Sequence, residues 1–118
     1  MSTFAVAVEV GHLEEDRFES IEALIDTGAS HSTFPAPFLD GLGIELTERW
    51  PFRLADERIR EYDVGIARIR LDGRLGYTRV VFADPGSQAL LGAVTLEEFS
   101  LGVDPVGRRL IPVPGLLM

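Results

Sequence analysis

The stretch ALIDTGAS, residues 23–30, decides how this chain is read. Four of the five residues before Asp26 are apolar, Glu22 being the exception, so a buried strand ends on a carboxylate. The residues that follow are too small to cover it. Asp, Thr, Gly and Ser are common turn formers, and read alone Asp26 is a turn residue. The context argues for more. Gly28 lets the backbone turn closely and leaves its amide available to a carboxylate. Thr27 brings a hydroxyl that can be buried only with a partner.

Working outward, TFAVAVEV alternates. Phe4, Val6, Val8 and Val10 point one way, opposite Ala5, Ala7 and Glu9, as in a half-buried strand. Phe18 to Ile25 reads as a second strand running into DTGAS. Helical spacing of Phe38, Leu39 and Leu42, with Gly43 as a stop, predicts a short helix near Pro37 to Leu42. Arg53 to Ala55 and Ile59 to Leu71 read as two strands joined by a hairpin tip at ADER. Within the second, Arg68 and Arg70 form a solvated face opposite Ala67, Ile69 and Leu71. Asp72-Gly73 is a two-residue hairpin signal, and Leu75 to Phe82 is the returning strand. ALLG, residues 89–92, is a short apolar strand. TLEEF follows, with Thr95 and Glu98 at capping-box spacing and Gly102 as the stop. GVDPVGRRLIPV predicts a final hairpin limited by Pro112 and Pro114. The sum is an all-β domain, a small closed or folded-over barrel of short strands with two short helices.

Composition narrows the chemistry. With 118 residues the chain is sized for one domain, residues 1–118, with one core. It has no cysteine, which excludes disulfides, thiol catalysis and thiolate metal sites. His12 and His31 are too few and too scattered for a histidine metal cluster. The net charge is −8 and all eleven basic residues are Arg, so nucleic acid is not an expected partner and lysine chemistry is ruled out. No apolar run is long enough to span a membrane, and the N-terminus lacks a basic start and a cleavage site, so a cytoplasmic setting is the expectation. Phosphate-binding Asp-x-Gly-Thr loops belong to folds with far more chain and alternating helices. Phosphoaspartate chemistry lacks its second Asp and its Lys.

ALLG begins about sixty residues after DTGAS, and a short amphipathic helix follows it. Together LIDTGAS and LLGAVTLEEF, in that order and at that separation, resemble the retropepsin-like aspartic proteases, single-lobed relatives of the retroviral enzymes. The resemblance covers nearly the whole chain and implies an aspartic endopeptidase without metal or cofactor, acting on a peptide or protein substrate. It implies that Asp26 is the catalytic aspartate and that Thr27 hydrogen-bonds across a dimer. Gly28 would set its backbone against the carboxylate. Ala29 and Ser30 would line the site. Leu90, Leu91 and Gly92 would form the strand under the loop. Ala55, Asp56, Glu57 and Arg58 would be the tip of a flap over the substrate, although retroviral flap tips are glycine-rich and this one is charged. His31 is expected to be exposed and to have no catalytic role, and Trp50 to be a packing residue.

Aspartic proteolysis needs two carboxylates, and this chain has one DTG. Asp40-Gly41 and Asp72-Gly73 fit a helix end and a turn. A two-fold homodimer would supply the second copy of Asp26. TFAVAVEV and RRLIPVPGLLM, with its greasy LLM end, are the expected interface strands. Two other readings stand beside the enzyme: a catalytically inactive dimer serving as a protein-interaction module, favoured by the charged flap tip, and a β-barrel whose DTG is only a turn.

Overall fold

Residues 4–117 are described in a computed structural model. Nine strands and two short helices follow in the order β1 (Ala5–Gly11), β2 (Phe18–Ile25), β3 (Ser32–Pro35), α1 (Ala36–Gly41), β4 (Leu46–Arg53), β5 (Ile59–Leu71), β6 (Arg74–Ala83), β7 (Leu90–Leu91), α2 (Ala93–Glu98), β8 (Leu101–Asp104) and β9 (Arg109–Pro112). The chain is all-β with few short helices, as its alternating patterns demand.

Seven strands form one sheet in the order β1-β2-β7-β3-β6-β5-β4, and β1 pairs again with β5. Pairing therefore runs from β1 round to β5 and back to β1, with β4 outside the ring. The 13-residue β5 makes this possible. Its first half pairs with β4, and its Arg68–Arg70 segment pairs with Gly11–Glu9 of β1. Gly65 sits at the changeover, where a β-carbon would lie 2.4 Å from the Glu45 carbonyl oxygen, so only glycine lets that backbone pass.

The core fills the ring. Val8, Val10, Ala23, Phe34, Leu39, Ala67, Ile69, Val80 and Leu91 are wholly buried within it. The alternation read in TFAVAVEV is present: Phe4, Val8 and Val10 are buried, and Ala5 and Ala7 are exposed. The Asp72-Gly73 hairpin also forms, with Leu71 opposite Arg74 and both turn residues at positive φ.

Several local expectations differ from the structure. β3 was not foreseen; four residues of alternating burial are too short for a periodic signal. The strand expected at Arg53 to Ala55 lies earlier, at Leu46–Arg53, because Trp50 and Phe52 are its inward positions. α2 starts after Gly92, and Thr95 is buried in its first turn without capping it. Gly102 does not stop α2; it lies in β8, and the helix ends at Phe99 before Ser100 at positive φ. Arg68 is not a solvated side chain: it donates to the carbonyls of His12 (2.7 Å) and Glu15 (2.6 Å) and fastens the β1–β2 turn. Arg70 stays on the open face, paired with Glu9 at 3.1 Å.

β8 and β9 form a separate two-stranded sheet. Beyond it Leu116 and Leu117 are 87% and 95% exposed, so within one chain the apolar tail is not buried. Thr3 at one expected interface and Met118 at the other lie outside the described residues.

Candidate active site

The topology puts Asp26 where three strands meet. β2 and β3 lie on either side of β7, parallel and antiparallel to it, and the loop of residues 26–31 joins them over its end. The Asp26 amide donates to the Leu91 carbonyl at 3.0 Å, fixing the backbone at the strand end. The Gly28 amide donates to Asp26 Oδ1 at 3.0 Å, and the Ala29 amide to the Asp26 carbonyl at 3.1 Å. The carboxylate is thus aimed by its own loop and remains half-exposed.

The rest of the loop is held from α2. The Ala93 amide donates to the Ala29 carbonyl (2.8 Å) and the Val94 amide to the Ser30 carbonyl (2.9 Å). Helix starts leave such amides unsatisfied, and here the loop itself satisfies them. Gly92 is needed for that approach: a β-carbon there would meet the His31 carbonyl carbon and oxygen, both at 2.7 Å. This is the physical content of the LLG motif.

Beneath the loop lies a buried chain of hydroxyls that the sequence did not announce. The Gly92 amide donates to Ser32 Oγ (3.1 Å), which lies 2.5 Å from Thr95 Oγ1. Thr95 Oγ1 lies 2.9 Å from Thr78 Oγ1, which donates to Glu98 Oε1 at 2.8 Å. An ionised carboxylate only accepts, so every hydroxyl must pass its proton one way, from Gly92 toward Glu98. Ser32, Thr78 and Thr95 are the buried polar residues of the chain's described part. Thr95 and Glu98 are linked, but through Thr78 of β6 rather than as a local capping box.

Asp26 opens on a cleft of about 610 Å³ walled by Ala29, Phe52, Leu54, Tyr62, Val81 and Leu90, with Ala55 at its edge. The hairpin of β4 and β5 forms the upper wall. Its tip is tight: the Leu54 amide donates to the Arg58 carbonyl (2.8 Å) and the Glu57 amide to the Leu54 carbonyl (2.9 Å). Glu57 takes φ 72°, a position where glycine is favoured, and Asp56 braces the turn through the amide and guanidinium of Arg58 at 3.1 and 2.6 Å. Asp56, Glu57 and Arg58 are exposed at the tip, so of the four expected flap residues only Ala55 lines the cleft. A second carboxylate on the cleft wall, Asp84, is engaged by both terminal guanidinium nitrogens of Arg60, at 3.0 and 2.9 Å.

Among the other expected support residues, Leu91 and Gly92 are buried under the loop, Thr27 is exposed at its apex, and Ser30 Oγ lies 2.8 Å from His31 Nδ1. His31 differs from expectation: it is half-buried in the cleft wall, edge-on to Trp50 and Phe52. Among the described residues no group of three or more His, Asp or Glu side chains is placed to hold a metal ion.

These features match a known class. The profile of the aspartyl protease family matches residues 7–95, and the chain belongs to that family. Its fold is that of the retropepsins. The structure of EIAV protease complexed with the inhibitor HBY-793 superposes with a TM-score of 0.62 at 19% identity, covering 83% of this chain and 88% of that one. The solution structure of simian foamy virus (mac) protease gives 0.58 at 17% identity, covering 81% and 94%. No curated protein sequence matches the chain.

Proposed function

We propose that the protein is an aspartic endopeptidase that works as a homodimer, with the ring of paired strands acting as a closed barrel behind the site. The observation that carries this is Asp26: a carboxylate aimed by the Gly28 amide into an apolar cleft beneath a hairpin. In a peptide-bound complex one Asp26, ionised, takes a proton from water as the water attacks the scissile carbonyl. Its partner's twin, protonated, donates to the carbonyl oxygen, and the departing amine then receives a proton. One chain cannot do this alone. The other carboxylate on the cleft wall, Asp84, is bound to Arg60, so a second copy of Asp26 across a two-fold axis is the natural source. The exposed Leu116 and Leu117 supply apolar surface for that association.

The test is a cleavage screen on an unstructured protein from acid to neutral pH, with Asp26→Asn as control. The parent is expected to cleave with a bell-shaped pH profile, set by the pair of carboxylates jointly. Asn keeps the oxygen that accepts from Gly28, so the variant should fold and cleave nothing. Equal cleavage by both proteins would remove Asp26 from the reaction.

A further inference from the structure

β4 is almost wholly exposed; of its eight residues only Trp50 and Phe52 are half-buried. Apart from pairing with β5, the strand is therefore seated by two rings. Both rings meet His31. Its imidazole lies 5.8 Å from Trp50 at 88° and 5.6 Å from Phe52 at 76°, the edge-to-face arrangement that aromatic quadrupoles favour. The two rings are themselves fixed from behind. Trp50 Nε1 donates to Glu48 Oε2 (3.1 Å), the Arg79 guanidinium lies 4.3 Å from its ring centre, and Phe52 packs on Tyr62 at 6.2 Å.

His31 is held equally firmly on the other side. Its backbone is pressed against Gly92, and Ser30 Oγ, 2.8 Å from Nδ1, sets the rotation of the ring. The imidazole is thus the member of this ring cluster contributed by the loop that carries Asp26. We propose that His31 is a positioning residue: its ring is the seat that holds the β4–β5 hairpin at a defined height over Asp26. For its kinetic consequence this rests on the endopeptidase reading; the seat itself does not.

The charged groups facing the imidazole are Arg79 from β6, Glu98 from α2 and, through Trp50 and Arg79, Glu48 from β4. Burial, and then Arg79, hold His31 below the ordinary imidazole value, with Glu98 opposing. The ring is neutral when it packs at neutral pH. Acid places a second cation beside Arg79 and loosens the seat.

Trp50 is the chain's only tryptophan, so its emission reports this contact directly. Emission of the full-length chain should be titrated from about pH 8 to pH 4 in the parent and in His31→Phe, alongside peptide hydrolysis by the parent, His31→Phe and His31→Ala. Circular dichroism verifies that each variant folds, and the phenylalanine variant keeps a ring in place should the alanine variant fail. The seat predicts a change in Trp50 emission with a midpoint below the ordinary imidazole value, absent from His31→Phe. It also predicts that His31→Ala raises KM about tenfold with kcat within about twofold, and that His31→Phe restores most of the loss. An emission titration identical in parent and His31→Phe, or an unchanged KM in His31→Ala, overturns the proposal. A parent that cleaves no peptide refutes the endopeptidase reading, and the emission titration then decides the seat by itself.

Discussion

Replacing Gly92 by alanine should cost about 3 kcal/mol, and the sum can be worked from the loop. Gly92 has φ −96° and ψ 175°, which alanine adopts freely, so no backbone strain enters. The cost is steric. The new methyl would sit 2.7 Å from the His31 carbonyl carbon and oxygen and 2.8 Å from the Ser30 carbonyl oxygen, all of them backbone atoms that no rotamer change can move. Overpacking of this kind costs about 1–3 kcal/mol. Relief requires the loop to withdraw from α2, which stretches the bonds from the Ala93 and Val94 amides (2.8 and 2.9 Å) and from the Gly92 amide to Ser32 (3.1 Å). Each is worth about 1 kcal/mol, and losing one or two brings the total to about 3. For a chain of this length that is a fall in Tm of about 12 °C, at about 4 °C per kcal/mol. Thermal unfolding followed by circular dichroism measures it. A variant melting within about 1 °C of the parent would mean that α2 does not press on the loop and that Gly92 is not needed for their approach.

Thr95→Val keeps shape but breaks the hydroxyl chain, leaving Ser32 without its acceptor and Thr78 without its donor; a loss of about 2 kcal/mol in denaturant unfolding is expected. Stability should fall on acidification in two windows. The unfolded chain protonates its His31 first, because the folded value is lowered, so stability present at neutral pH declines as pH drops below the ordinary imidazole value. Asp104, held below its ordinary value chiefly by the Gly107 amide, adds a small loss at lower pH, below the usual carboxylate range; urea midpoints measured against pH, with His31→Phe flat in the first window, check both. Leu116→Ser with Leu117→Ser should leave the melting of the isolated chain within about 0.5 kcal/mol, since both side chains are exposed, while shifting sedimentation from dimer to monomer. A dimer of unaltered affinity would place the interface elsewhere.

Much of the fold was legible because strand periodicity is a local signal. TFAVAVEV, the run into Ile25, the span Ile59 to Leu71 and the Asp72-Gly73 turn each carry their pattern within a few residues, and each stands where it was read. DTGAS was legible for the same reason: a carboxylate ending an apolar strand and followed by small residues is an anomaly visible in five letters. What stayed hidden depends on contacts between segments far apart in the chain. Thr95 and Glu98 have the spacing of a capping box, yet α2 is capped by the carbonyls of Ala29 and Ser30, more than sixty residues earlier, and Thr95 turns inward to Ser32. β3 has only four residues and takes its place from β6 and β7. Arg68 looked like one of two solvated neighbours until the β1–β2 turn folded over it. His31 looked like an exposed residue because nothing adjacent in sequence could cover it; Trp50 and Phe52 arrive only when β4 pairs with β5 and the hairpin is laid beside the loop. The sequence by itself determined the longer, periodic strands and the carboxylate at the end of one of them, because both are written in local pattern. Only the tertiary structure decided what holds that carboxylate's loop and what roofs it, because those forces act between surfaces that adjoin only after the ring of strands has closed.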